Sequence, residues 1–328
     1  MKVLVTGATG FIGKALAEKL LAQGHDVRVL ARDPRKVSEV GLDGVEVAEG
    51  DITNREQVYH ALDGVEVAYA VAGTFREPNL SDARYREVNV DAVRYMIEGA
   101  EASGVRRVVH CSTCGIHGNV AKGDKASEDT PLRGKGIYEE SKAEGDQLAR
   151  QLNDELRVEV SVIRPTPVYG EGDTRLLKLF KMCDKDTITL LGPGTGGYHL
   201  VHIEDLTDAF ILAGDRPEAA GEAYLIGGPE VPSLNALVTT LAKVLGHDHP
   251  SIRRLPATPF YLAGAVCETL CRPLGISPPI YRRRVEFFTN NRAFDITKAK
   301  QQLGYAPKVG TEAGLRRTLE WYRQQGMM

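Results

Sequence analysis

Tyr138-Glu139-Glu140-Ser141-Lys142 sets a phenol and an ammonium four residues apart, which on a helix puts both on one face. A phenol of ordinary pKa, about 10, is a poor proton donor or acceptor at neutral pH. A neighbouring ammonium favours phenolate and moves the group toward the working range. The pair therefore suits acid–base chemistry at a carbon that carries oxygen. Its spacing alone is common; its weight comes from Cys111-Ser112-Thr113, at the end of the preceding apolar run. A hydroxyl there could bind a substrate oxygen while Tyr138 takes or gives its proton. Thr113 is the candidate for that role, with Tyr138 and Lys142 as its catalytic partners and Ser112 as a substrate neighbour. Either hydroxyl also reads as a strand-end group that satisfies local backbone.

A second constellation lies at the start of the chain. Gly7-Ala8-Thr9-Gly10-Phe11-Ile12-Gly13 follows a first apolar strand pattern and opens a first helical one. Gly7 permits a tight turn, Gly10 lets a pyrophosphate approach the backbone, and Gly13 lets helix pack closely on strand. The helix start then offers free N–H groups and a partial positive charge to phosphate. In this position the glycine trio marks a dinucleotide site, which makes hydride transfer the natural partner of the Tyr138 chemistry. The lysine can also reach the ribose of a nicotinamide cofactor.

The second strand ends Leu30-Ala31-Arg32-Asp33. Ala31 stands where an acid would bind the ribose of NAD, and Arg32 offers a planar fork of donors to a 2′-phosphate. NADP is the favoured cofactor, with NAD kept open because Asp33 could reach the ribose and Arg32 also reads as a surface charge. Asp51, in Gly50-Asp51-Ile52-Thr53 after the third strand, suits an adenine amino group or a turn.

These groups need a frame. Strand patterns at Lys2–Thr6, Val27–Ala31, Val45–Ala48, Val65–Ala72, Arg107–Ser112 and Glu159–Arg164 alternate with helical ones at Phe11–Gln23, Arg55–Leu62, Ser81–Ser103 and Tyr138–Asn153. Near-continuous apolar strands alternating with helices predict an α/β, Rossmann-type doubly wound parallel sheet. Residues 1–165 form the expected dinucleotide-binding domain. Residues 166–328 lose the βα rhythm and read as a smaller mixed substrate lobe, with some segments returning to the sheet. Its helices are expected at Glu204–Ala213, Leu234–Leu245 and Gly314–Gln324.

Composition narrows the partners. The 328 residues are 42% hydrophobic and 26% charged with a net charge of −3, an ordinary globular mixture with no global field for nucleic acid. Arg282-Arg283-Arg284 is a local basic cluster, an anion site or a solvated face. The five cysteines include Cys111 with Cys114 and Cys267 with Cys271, pairs without a second ligand set, so no metal site is expected. Pro259–Leu270 is apolar but interrupted by Glu268 and too short to span a bilayer. With Met1 leading straight into a strand pattern, a cytoplasmic location is expected.

Taken together these motifs resemble the extended short-chain dehydrogenase/reductase superfamily, of the NAD-dependent epimerase/dehydratase type. The resemblance spans nearly the whole chain: Thr6 to Gly13, Gly50-Asp51-Ile52, Asn89-Val90, Ser112-Thr113 with Ile116-His117-Gly118, Tyr138 with Lys142, Arg164 to Gly170, Val201 to Leu206, and Phe294 to Ala299. It implies that Thr113, five before Gly118, is catalytic, and that Tyr138 is the acid/base with Lys142 its helper. It further implies cofactor contacts from Asp51 and Ile52, from Ala72 and Gly73, and from Pro165. It also implies a homodimer through the helices near 83–103 and 138–153.

Two departures from the family pattern concern the substrate. His117 stands where a tyrosine is common and is expected to alter one pocket wall. The stretch Gly196-Gly197-Tyr198-His199-Leu200 lacks the arginine with which sugar-nucleotide epimerases clasp a diphosphate, while Arg284 lies where a second such arginine would. Tyr198 and Arg284 are thus substrate candidates. Ala31-Arg32 and the apolar stretch from Phe260 to Leu270 resemble dihydroflavonol reductases and 3β-hydroxysteroid dehydrogenase-like members. A reductase or dehydrogenase acting on a small, fairly apolar molecule is the leading expectation. The alternatives are a sugar-nucleotide epimerase or dehydratase with tightly bound NAD, and a non-catalytic NAD(P) sensor.

Overall fold

The computed structural model describes residues 1–75, 80–271 and 281–328. In chain order the strands are β1 (Lys2–Thr6), β2 (Asp26–Ala31), β3 (Glu46–Glu49), β4 (Val67–Ala70), β5 (Arg107–Cys111), β6 (Glu159–Pro165), β7 (Val168–Tyr169), β8 (Thr187–Leu191), β9 (Val201–His202), β10 (Ala223–Ile226) and β11 (Ser251–Leu255). The helices are α1 (Phe11–Ala22), α2 (Pro34–Glu39), α3 (Arg55–Ala61), α4 (Asp82–Arg86), α5 (Ala92–Ser103), α6 (Ile137–Glu155), α7 (Leu177–Cys183), α8 (Ile203–Asp215), α9 (Leu234–Val244), α10 (Ala257–Cys271), α11 (Arg282–Thr289) and α12 (Thr311–Gln324).

Seven strands form one sheet in the order β10-β6-β5-β4-β1-β2-β3, every pairing parallel. A parallel sheet needs a crossover after each strand, so helices cover both faces and the central strands become apolar throughout. The strands accordingly bury Val3, Leu4, Val5, Val67, Ala68, Tyr69, Val108 and Val109 with essentially no exposure. One face packs on α1 and α8 and the other on α3, α5 and α6. Strand order reverses between β1 and β4, and crossovers leaving in opposite directions open a crevice at the carboxyl edge there.

The second half of the chain supplies β10 to the sheet and α8 to one of its faces, and builds a separate core from α7, α9, α12 and β8. Two short parallel pairs, β8 with β11 and β7 with β9, complete the lobe.

Three local differences from the sequence reading have physical causes. Val65 to Ala72 pairs only from Val67 to Ala70, because Val71 and Ala72 turn to give their N–H groups to Thr6 Oγ1, each at 3.1 Å. The helix from Ser81 to Ser103 is interrupted by a wide π turn at Glu87–Asp91. That turn faces α6 at Gly145, where an added Cβ would stand 2.1 Å from the Asn89 carbonyl oxygen. The short helix α2 follows β2 because Asp33 caps it, accepting from Arg35 N–H at 3.1 Å, with Pro34 in its first turn.

Candidate active site

The glycine turn is fixed by contact. Gly7 adopts φ +72°, and a Cβ on it would lie 2.9 Å from Ala72 N and Cα. A Cβ on Gly13 would meet the Gly7 oxygen at 2.2 Å, so helix and turn touch through backbone alone. Gly10 donates to that same oxygen at 2.9 Å and caps α1 without a side-chain bond, and the first turn of α1 holds no acid. N–H groups left in that state favour an anion. Thr9 and Gly10 are exposed, and Phe11 and Ile12 half-buried, so the turn presents its backbone to the crevice. The fit to a dinucleotide pyrophosphate rests on this uncapped start. Thr6, which the sequence reading passed over, holds the turn against residues 71 and 72; its signal is a hydroxyl at the last position of a buried strand.

At the end of β2, Arg32 is exposed. Asp33 is spent locally: besides capping α2 it takes Arg35 Nε and Nη2 at 3.0 Å each. The Arg35 bond holds that carboxyl below the usual carboxylate range. Asp51 accepts from both the N–H and hydroxyl of Thr53 at 2.9 Å, and Arg84 lies 3.8 Å from its other oxygen. Burial works against its ionised form but is outweighed by the Thr53 bonds and the charges of Arg32 and Arg84, so its pKa is lowered. Ile52 and Ala72 line a small recess with Thr6 and His110 beneath the crevice.

The chemical groups meet at the ends of β5 and α6. Helix α6 starts after Gly136, which takes φ +96°. Lys142, one turn beyond Tyr138, is buried and donates a hydrogen bond to the Cys111 carbonyl at 2.5 Å. Burial pulls its pKa below the ordinary lysine value. Gly73 faces it: a Cβ there would stand 3.4 Å from Asn89 Oδ1 and 3.7 Å from Lys142 Nζ, in ordinary contact with both. Asn89 ties the elements together, donating to Ser141 Oγ at 3.0 Å and accepting from Thr74 N–H at 3.2 Å. Thr113 Oγ1 accepts from Gly115 N–H at 3.1 Å, an arrangement that leaves its own proton to donate. Beneath them, Asp146 on α6 and Arg164 on β6 form a fully buried bidentate pair with bonds of 2.7 and 2.9 Å.

Thr113, Tyr138 and Lys142 line a single cavity of about 1050 Å³, together with Ile12, Gly73, Ser112, Pro165, Tyr198 and Arg284. Tyr138 meets the edge of Phe75 with ring centroids 5.1 Å apart. Gly7, Thr9, Gly10, Phe11, Gly13, Arg32, Asp51, Ile52 and Ala72 lie along the same sheet edge, outside that lining. The far wall comes from the second lobe. It is apolar at Leu176, Leu179, Met182, Phe287 and Phe288 and cationic at Arg175, Lys178, Arg283 and Arg292. Tyr198 stands against Phe287, with Arg292 over its ring at 5.3 Å, and Arg284 lies over Tyr281 at 4.6 Å.

His117 is placed differently from expectation. The tight turn Cys114–His117 rotates it behind the wall, where it is 2% exposed, bonded through Nδ1 to the Thr130 carbonyl at 2.9 Å and facing Phe294. Burial lowers its pKa. Cys111 and Cys114 are buried thiols, in no disulfide, on the cavity lining.

Arg175 went unnoticed in sequence. Its guanidinium is held by Asp173 at 2.7 Å and stacks at 5.4 Å on both Phe11 and Phe75, so it bridges the glycine turn and the ring beside Tyr138. Nothing local foretells this, because its two aromatic partners lie a hundred residues or more away.

Comparison with known proteins accords with this geometry. A model of the NAD dependent epimerase/dehydratase family matches residues 3–227. The chain belongs to that family. The 2-alkyl-3-oxoalkanoate reductase of Stenotrophomonas maltophilia is 30% identical to it, over 97% of this chain and 98% of the relative. The 3beta-hydroxysteroid-dehydrogenase/decarboxylase isoform 2 of Arabidopsis thaliana is 28% identical over 97% of this chain, which spans 61% of that relative's length. Among solved structures, the dTDP-glucose 4,6-dehydratase DesIV of Streptomyces venezuelae, with NAD bound, superposes with a TM-score of 0.75 at 26% identity, covering 99% of this chain and 97% of that one. The family is thus one of NAD-dependent enzymes, with oxidoreductase, epimerase and dehydratase members. Among the described residues, no helix is long and apolar enough to cross a membrane.

Proposed function

We propose that the protein is an NAD(P)-dependent oxidoreductase, with NADP preferred, that interconverts a secondary alcohol and its ketone. The observation that carries this reading is the convergence of Thr113, Tyr138 and Lys142 on one cavity beside an uncapped glycine turn. The dinucleotide, when bound, supplies or accepts the hydride. It would lie with its phosphates on the turn of Gly7, Thr9, Gly10, Phe11, Ile12 and Gly13. Arg32 would face a 2′-phosphate, Asp51 and Ile52 the adenine, and Ala72, Gly73 and Pro165 the middle of the groove.

The protein's own groups handle the proton. Thr113 donates its hydroxyl to the substrate oxygen and so fixes the reacting carbon. Tyr138 gives a proton to that oxygen in reduction and takes one in oxidation. The buried Lys142 ammonium favours the phenolate form of Tyr138 and offers its remaining protons to the cofactor ribose. Burial strengthens each of these polar contacts by excluding water.

The apolar and cationic far wall suits a chain-bearing acid. A ketone or alcohol on the carbon next to one that carries a carboxylate fits this lining and the names of both relatives. The test is to supply a 2-alkyl-3-hydroxy acid with NADP or NAD and follow formation of the reduced cofactor. The oxidative direction avoids the spontaneous decarboxylation of 3-oxo acids. Steady turnover, faster with NADP, is expected. Absence of turnover, with NAD retained through purification and nucleotide sugars interconverted, would transfer the assignment to an epimerase.

A further inference from the structure

A run of ring and guanidinium contacts joins the glycine turn to the Tyr138 phenol. Phe11 is the first residue of α1, and the Arg175 guanidinium lies 5.4 Å from the centres of both the Phe11 and Phe75 rings. Phe75 in turn meets the edge of the Tyr138 ring at 5.1 Å. The two ends of this run are where the phosphates and the nicotinamide of a dinucleotide are proposed to lie. Ile12, Val71 and Gly73, which follow β1 and β4, line the same cavity as Phe75 and Arg175. The nicotinamide half of a bound cofactor would therefore lie alongside the run.

Arg175 is held in place by its own loop, which follows β7. Asp173, 1% exposed, accepts from the Arg175 N–H at 3.1 Å, from its Nε at 2.7 Å and from the Leu176 N–H at 3.1 Å. Nη2 donates to the Val168 carbonyl at 3.2 Å. The loop is pressed on α1 at Gly172, which takes φ +98° and where a Cβ would stand 3.2 Å from the Phe11 ring. These contacts aim the guanidinium and leave part of it unused. Among the described residues Nη1 makes no hydrogen bond, and the side chain is 43% exposed. A planar cation fixed by a buried carboxylate, with donors open beside a phosphate-binding turn, suits a phosphate oxygen.

We infer that Arg175 is a strap across the bound dinucleotide. Its open Nη1 donates to the pyrophosphate, and its contacts with Phe11 and Phe75 close the groove over the nicotinamide half. This role rests on the cofactor reading above, not on the identity of the substrate. The cofactor leaves when Arg175 parts from one of its rings, so the strap sets the rate of exchange. Because the pyrophosphate is common to NAD and NADP, Arg175 holds both alike, in contrast to the part proposed for Arg32.

The experiment is release of NADPH, and separately of NADH, from the full chain. Nicotinamide fluorescence is followed after rapid mixing with excess oxidised cofactor, so no substrate is needed. Arg175→Ala is expected to release both cofactors faster by about tenfold or more, the scale of one bond to a charged group. Arg175→Lys, which keeps the charge but loses the planar fork, should also release both faster. Phe75→Ala should shift release in the same direction; its ring is 44% exposed, so this variant carries the test if Arg175→Ala does not fold. A wild-type chain that binds neither dinucleotide overturns the cofactor reading and the strap with it. Binding with release rates unchanged in Arg175→Ala and Phe75→Ala overturns the strap alone, and leaves Arg175 as a tie between the loop and α1. Faster release of NADPH but not of NADH also overturns it, because that pattern belongs to a 2′-phosphate contact.

Discussion

The buried ammonium of Lys142 is fastened to the last carbonyl of β5, that of Cys111, at 2.5 Å. This bond keys the start of α6 to the strand end that carries Thr113, two residues further on. It sets the helix so that Tyr138, one turn before the lysine, opens onto the cavity that Thr113 lines. Only one of the three ammonium protons is used in the bond.

Tyr138 and Lys142 are expected to fail differently. Tyr138→Phe removes the proton path and leaves the fold and the cofactor groove in place, so turnover should fall by about 10²–10⁴ with cofactor affinity within a few-fold. Lys142→Met removes the charge that favours phenolate and the donor proposed for the ribose, so both turnover and cofactor affinity should drop. Steady-state rates with a cofactor titration by fluorescence check both. Near-normal turnover of the phenylalanine variant would remove Tyr138 from the mechanism.

Arg32 is expected to read the 2′-phosphate. Asp33, the rival for the ribose, is already engaged in capping α2 and in its pair with Arg35. Arg32→Ala should therefore weaken NADP binding by about tenfold, the scale of one exposed charge-assisted contact, and leave NAD nearly unchanged. Equal losses for the two cofactors in calorimetry would show that Arg32 has no part in the choice.

What was legible in sequence is what local geometry forces. Gly7 and Gly13 are readable because a positive φ and a 2.2 Å approach admit no side chain, and the Tyr138–Lys142 spacing because a helix repeats on that period. Illegible features depend on partners far along the chain. The wide turn at Glu87–Asp91 answers to Gly145, and Arg175 owes its position to Phe11 and Phe75. His117 sits in a motif whose spacing is right, yet a short turn after Thr113 decides which way its ring points. Arg164 did leave a trace, a cation inside an apolar strand, which requires a buried carboxylate; Asp146, one turn past Lys142, supplies it.

That pair yields a stability prediction. With both groups at 1% exposure or less, removing one leaves an uncompensated charge in the interior. Asp146→Asn or Arg164→Met alone should cost about 3–5 kcal/mol, read as a lower urea midpoint. The double change to apolar residues of similar volume should recover much of that loss, because desolvation of the pair offsets most of its attraction. A single variant with an unchanged midpoint would mean the pair contributes little to the fold.

The pH dependence of stability should report a different cluster, one that ties α12 to the loop after β7. Glu171 faces His202 Nε2 at 3.2 Å and Arg317 Nε at 2.7 Å, while Arg317 also bonds Glu204 at 2.7 Å. His202 Nδ1 accepts from Glu204 N–H at 3.3 Å, which leaves the ring proton on Nε2, the nitrogen 3.2 Å from Glu171. The His202 bond, with Arg317 behind it, outweighs burial and lowers the Glu171 pKa from 4.5 to about 2. A carboxyl depressed on folding stabilises the native state fully above its unfolded value, and that share fades as pH falls from about 4.5 toward about 2. Glu171→Gln should therefore be less stable than wild type at neutral pH, with the gap narrowing through the acid range and closing near its lower end. Urea unfolding at a series of pH values measures the gap directly. A gap that stayed constant down to the acid limit would show that the carboxylate charge plays no part in holding α12.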